Sequence, residues 1–176
     1  LYSGVGRGNA KSGIEVEMAF FDPSTPNLDA MNLCKNRVLK NATAAALPDE
    51  DFVHNEPTSE LLEVASIAAP LSEARSVLGD INKKIKILMD KAEGVGLKRS
   101  YFQELPDKTA DELLSRIVDV ERYNIMYAPY RADMYDCVRY FAVCKSNQVS
   151  VSPYDMNHLH INVRRLYALA PFLFLL

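Results

Sequence analysis

Tryptophan is absent from the 176 residues, and cysteine, histidine and glycine are scarce, at three, three and seven. Cys34, Cys137 and Cys144 are odd in number, and their spacing matches no zinc motif. Neither a disulfide scaffold nor a zinc module therefore organises the chain, and buried free thiols in a reducing compartment are expected. No apolar run reaches the ~18 residues of a membrane span, so no membrane partner is expected. No basic-then-apolar leader opens the chain, and the expected location is cytoplasmic. A formal net charge of −3 leaves no global basic field for nucleic acid. Low-complexity tracts and internal repeats are missing too, which excludes collagen-like, solenoid and disordered classes.

What remains is ordinary globular composition, 48% hydrophobic and 24% charged. One domain over residues 1–176 is expected. The chain opens at Leu1 and closes in the apolar run Ala170-Pro171-Phe172-Leu173-Phe174-Leu175-Leu176, and we expect it to be part of a longer polypeptide.

Ile14, Val16, Met18 and Phe20 alternate with Glu15, Glu17, Ala19 and Phe21. That period of two predicts a strand, stopped by Asp22-Pro23. Pro26-Asn27 opens a helix over about residues 28–40, and Glu60 to Ser66 predicts a second strand. Ser72 is the expected N-cap of a long helix. Its apolar positions are Val77, Leu78, Ile81, Ile85, Leu88, Met89 and Ala92, and Gly94 closes it. Lys83, Lys84 and Lys86 read as its solvated side. Thr109-Ala110-Asp111-Glu112 is a capping box that starts another helix. Residues 132–144 are ambiguous, with helix slightly favoured. Gln148 to Ser152 predicts a third strand, and Asp155 caps a last helix carrying Met156, Leu159, Val163, Leu166 and Ala170. The order argues α+β or α/β.

Each predicted strand has one apolar and one polar face. Glu15 and Glu17 share a face; Glu63 and Ala65 share one opposite Leu62 and Val64; Gln148, Ser150 and Ser152 share one opposite Val149 and Val151. Helices on the apolar faces would leave one polar sheet face open. Paired carboxylates there repel unless solvated or bridged by a hard cation such as Mg²⁺. A solvated outer face and a cation–nucleotide site both answer to this pattern.

Two motifs are set aside. Gly4-Val5-Gly6-Arg7-Gly8-Asn9-Ala10-Lys11-Ser12 has Ala10 where a phosphate loop needs glycine, and a strand follows it instead of a helix. His158-Leu159-His160 on a helix points its imidazoles about 200° apart, so they share no metal. Tyr123, Tyr127, Tyr130, Tyr135 and Tyr140 read as packing residues with wet hydroxyls.

Five segments in order resemble the glutamate–cysteine ligase-like carboxylate–amine ligases. Gly13-Ile14-Glu15-Val16-Glu17 resembles their opening strand, and Glu56 with Glu60-Leu61-Leu62-Glu63-Val64 resembles their acidic residue and second strand. Arg122-Tyr123 resembles their Arg-Tyr, and Gln148-Val149-Ser150-Val151 a later strand in which many members carry His or Gln. Arg164-Arg165-Leu166-Tyr167-Ala168-Leu169-Ala170-Pro171 resembles the helix that follows. The resemblance implies a glutamine synthetase-like α+β fold, with an antiparallel sheet open on one polar face and helices on the other. It implies that Glu15, Glu17, Glu56 and Glu63 hold Mg²⁺ or Mn²⁺, that Arg122 is catalytic, and that Gln148 and Ser150 face substrate or nucleotide. The implied activity joins glutamate, through an acyl phosphate made from ATP, to the amine of cysteine, as in glutathione biosynthesis. Another ATP-dependent amide-forming ligase of this fold, and a non-catalytic binding or assembly domain, are the alternatives. The expected partners are thus small molecules: ATP, glutamate, and cysteine or another amine. Three predicted strands cannot close a funnel, so residues 1–176 are expected to hold part of a metal site and not to catalyse the full reaction alone.

Overall fold

The computed structural model describes residues 10–24, 30–49, 52–58, 61–101, 117, 121–127, 146–153 and 155–173. At its centre is strand β1 (Lys11–Phe21), the strand foreseen from alternation. All four strands that pair with it run antiparallel. Helix α1 (Ala30–Ala44) follows it, then β2 (Val53–Asn55), β3 (Leu61–Ala65) and β4 (Ala69–Pro70). A 3₁₀ turn (Leu71–Glu73) leads into the long helix α2 (Ala74–Gly94), and β5 (Lys98–Ser100) comes next. Helix α3 (Glu121–Tyr127), β6 (Asn147–Val151) and helix α4 (Met156–Leu173) complete the described elements. Among the described residues the sheet has six strands. β3 and β4 line one side of β1, β5 and β6 pair along the other, and β2 joins outside β3. The architecture is α+β with an open antiparallel sheet.

One-sided polarity explains the layering. On β1, Val16, Met18 and Phe20 are buried, and the register sets Val64 beside Val16 and Leu62 beside Met18. Val53 of β2 adds to the same face, and Leu39 of α1 with Ile81, Leu88 and Ala92 of α2 close over it. Each of these side chains larger than alanine contributes about 1.5–3 kcal/mol when taken out of water. The opposite face keeps Glu15, Glu17 and Glu63 only half-buried.

β3 and β4 behave as one strand interrupted by a bulge. Glu15 pairs with Ala65, whereas Ser12 pairs with Ala69, a slip of one residue. An extra residue in one strand leaves backbone groups outside the ladder. Helix α2 attends to them. Asp80 accepts the Ile67 N–H at 2.8 Å, and Lys84, one turn on, donates to the Ala65 carbonyl at 3.1 Å. The two side chains pair at 2.7 Å, and the Lys84 ammonium sits 3.0 Å from the centroid of the Phe52 ring. Lys84 is therefore 2% exposed, where the charge pattern had put it on the solvated side of the helix. Charge alone does not reveal a lysine two of whose three partners, the Ala65 carbonyl and the Phe52 ring, lie outside its own helix.

Other expectations are corrected as well. Ser72 caps nothing. It falls in the 3₁₀ turn, because Pro70 starts a tight turn there, and α2 begins at Ala74 with no side-chain cap. Gly94 ends the helix, but the positive φ needed to turn the chain away, +74°, belongs to Gly96. Leu78 is half-exposed instead of facing the core. The apolar face of β6 is uncovered, with Val149 70% exposed, and Met156, Val163 and Leu166 of α4 are exposed too. β2, β4 and β5, of two or three residues each, are too short for alternation to register. The helix starting at Thr109, residues 132–144, Cys137 and Cys144 lie outside the described residues. Asp155 does cap α4, accepting the His158 N–H at 2.8 Å. Among the described residues no helix is long and apolar enough to cross a membrane.

Where β1 ends, Asp22 is buried and accepts both the Ser24 N–H, at 2.9 Å, and its hydroxyl, at 2.6 Å, in an Asx turn. Lys35 of α1 pairs with its other oxygen. The Lys35 hydrogen bond first, then those from Ser24, hold the Asp22 carboxyl well below the usual carboxylate range. A folded-state value below the unfolded one, about 3.9, means stability that is present above that pH and lost as pH falls through the lower folded value. Urea unfolding should therefore show Asp22→Asn clearly less stable than wild type at pH 7. The gap should shrink as pH drops below about 4. A gap unchanged at pH 3 would contradict the pairing.

Candidate metal centre

Three segments deliver carboxylates to one spot on the open face. Glu17 comes from the middle of β1, and Glu63 of β3 is its direct cross-strand partner. Glu56 stands where β2 runs into the loop toward β3, its N–H bonded to the Leu61 carbonyl at 3.1 Å. One oxygen from each lies within 4.8 Å of the other two, and all three residues are half-buried. Two carboxylates facing each other across a ladder repel. A hard cation relieves that repulsion, and its octahedral shell at ~2.1 Å spans about 4.2 Å between opposite oxygens. Three donors cannot all stand opposite one another: at least two of their three separations must come to about 3.0 Å, the spacing of adjacent oxygens in such a shell, within the 4.8 Å that bounds them here. Three carboxylate donors suit Mg²⁺ or Mn²⁺ better than a soft or imidazole-seeking metal.

The surroundings orient the donors. Ser146, just before β6, donates its N–H to Glu17 Oε2 at 2.7 Å and its hydroxyl to Oε1 at 2.8 Å. Gln148 Nε2 donates to the same Oε1 at 2.9 Å. Glu56 Oε2 lies 3.4 Å from the hydroxyl of Tyr123, which is buried and also donates to the Asn55 carbonyl at 3.2 Å. Such outer partners fix ligand orientation and commonly matter 10–100-fold in metal affinity (about that range).

The sequence-derived residues divide accordingly. Glu17, Glu56 and Glu63 converge. Glu15 is on the same face, paired with Ala65 and Gln148, but does not join that group; it lines a cavity nearer the start of β1. Gln148 supports Glu17, and Ser150, opposite Gly13, lines the cavity with Glu15. Arg122 belongs to α3, next to Tyr123. Sequence reasoning missed Ser146 and His54. The latter pairs with Glu63 across the β2–β3 ladder, and its spacing of two from Glu56 was the available signal.

Ser66 joins this site to the bulge. Its hydroxyl accepts the Ile14 N–H at 2.8 Å and donates to the Ile67 carbonyl at 2.8 Å. Ser66→Ala leaves a part-buried backbone donor without that partner and should cost about 1–3 kcal/mol in chemical denaturation. A loss below 0.5 kcal/mol (well under that range) would show that the bridge contributes nothing.

No family model matches the chain, and no curated protein matches it.

Proposed function

We propose that the protein is an ATP-dependent carboxylate–amine ligase of the glutamate–cysteine ligase-like type, on a glutamine synthetase-like sheet. The observation that carries this reading is the meeting of Glu17, Glu56 and Glu63 on the open polar face, since these are residues the sequence resemblance singles out as cation ligands. A divalent cation held there would neutralise the phosphates of ATP, which phosphoryl transfer needs more than it needs a covalent group from the protein. Gln148 and Ser146 keep Glu17 aimed at the cluster. Arg122 is assigned to the phosphate, and Ser150 to the substrate side of the sheet. In the reaction, the side-chain carboxylate of glutamate takes the γ-phosphoryl group of ATP, releasing ADP. The amine of the second substrate then displaces phosphate and forms the amide.

The test is phosphate release by the full-length protein from Mg-ATP, supplied with L-glutamate and a panel of amino acids. Release that requires metal, glutamate and an amine together supports the reading. No turnover across the panel removes it.

A further inference from the structure

Strand β6 lies at one edge of the sheet, and its bonds to β1 come from every second residue. The Ser152 N–H donates to the Lys11 carbonyl at 2.8 Å, and the Glu17 N–H donates to the Ser146 carbonyl at 3.0 Å. Between these ends the register pairs Gly13 with Ser150 and Glu15 with Gln148. Antiparallel ladders alternate, so Ser146, Gln148, Ser150 and Ser152 turn their backbone groups toward β1. Asn147, Val149 and Val151 turn theirs away, and each carries one N–H and one C=O that needs a partner or water. Among the described residues β6 pairs only with β1, and Val149 and Val151 are exposed.

Folded proteins usually protect such an edge with a charge, a proline or a bulge. Residues 146–152, Ser-Asn-Gln-Val-Ser-Val-Ser, hold neither charge nor proline, and their register with β1 runs without a slip. The missing charge restricts the occupant. An acidic or a basic peptide finds no counter-charge here, whereas an identical strand meets this one without like charges opposite each other. Two-fold symmetry lets a strand pair antiparallel with its own copy. With the axis at Val149, that residue faces its counterpart, and Asn147 faces Val151 of the second copy. This register gives every outward N–H and C=O a partner, and a shift to either side leaves some unpaired. The exposed Val149 side chains then cover each other, a β-branched pair of the kind that stabilises sheets. Gln148, which holds Glu17, comes to lie opposite Ser150 of the second copy, and both polar faces stay on one side of the joined sheet.

We infer that the outer edge of β6 joins β6 of a second copy of this chain, making one continuous antiparallel sheet across a two-fold axis. Five residues of strand bury less than the roughly 1,000 Å² of a stable interface, so the dimer is reversible, with a micromolar or weaker dissociation constant. Sedimentation equilibrium on the full chain, over about a hundredfold range of concentration, should show monomer and dimer exchanging. Val149→Pro removes an N–H that points away from β1, so the ladder to β1 keeps its bonds, and proline is tolerated at sheet edges. Val149→Lys keeps the N–H and sets like charges directly opposite. Each should raise the dissociation constant at least tenfold, whereas Val149→Thr, β-branched and uncharged, should change it less than threefold. Circular dichroism checks that the variants keep the fold. Amide hydrogen exchange locates the contact: Val149 and Val151 should gain at least tenfold protection as the dimer forms, while Gln148 and Ser150 are protected at every concentration. A monomer throughout, a dimer indifferent to Val149→Pro and Val149→Lys, or Val149 and Val151 amides already protected in the monomer would each overturn the inference. The last result would mean that another segment of the same chain covers the edge.

Discussion

Replacing Glu63 by glutamine should reverse the sign of its effect depending on whether a divalent cation is present. Without metal, the variant loses a carboxylate that faces Glu17 directly across the ladder. Relief of that repulsion should raise stability by about 0.2–1 kcal/mol. With Mn²⁺ or Mg²⁺, wild type gains about 2.7 kcal/mol once the metal exceeds its dissociation constant a hundredfold. Glu63→Gln removes one of three charged donors and should lose most of that gain, since even outer partners of metal ligands are worth about 10–100-fold in affinity. Thermal unfolding with and without metal measures both halves. In the ligase reading, turnover falls by orders of magnitude with it. A variant that responds to metal as wild type does would show that the carboxylates meet without a ligand. A variant unfolded in both conditions would make Glu63 structural.

Lys84→Ala should be the most damaging single change away from that cluster. It strips the ammonium from Asp80, the Ala65 carbonyl and the Phe52 ring in one step. Breaking a buried ion pair by deleting one partner costs about 3–5 kcal/mol. The low end applies because the Asp80 side chain keeps 22% of its exposure and can rehydrate. Lys84→Met keeps the apolar stem and should recover part of the loss. Combined with Asp80→Ala, the two losses should fall short of additivity by at least 0.5 kcal/mol (the threshold typical of coupled neighbours), because both hold the same bulge. Additive losses would mean that Asp80 and Lys84 act separately.

How much could be read from residue order depended on segment length and on the distance between partners. β1 and α2 are long enough for periods of 2 and 3.6 to repeat several times, so their existence and buried faces were legible from Val16, Met18, Phe20, Ile81 and Leu88. The same alternation put Glu17 and Glu63 on the open face. Nothing in the periodicity, however, sets Glu56 beside them. It lies in a loop after a three-residue strand, and only the family resemblance pointed to it. The cavity and the burial of Lys84 both depend on a one-residue slip between β3 and β4, which appears only when Ala65 and Ala69 are paired with β1. In α4 and β6 the pattern was right about type and wrong about burial. Leu166 and Val149 have the spacing of core residues but are exposed in the described structure.

The central claim is that Glu17, Glu56 and Glu63 form a cation site. Crystals soaked in MnCl₂ and measured near the manganese edge test it most directly. One anomalous peak should lie about 2.1–2.3 Å from an oxygen of each carboxylate and be absent in Glu63→Gln. No peak among these residues, or a peak that survives that substitution, would contradict it.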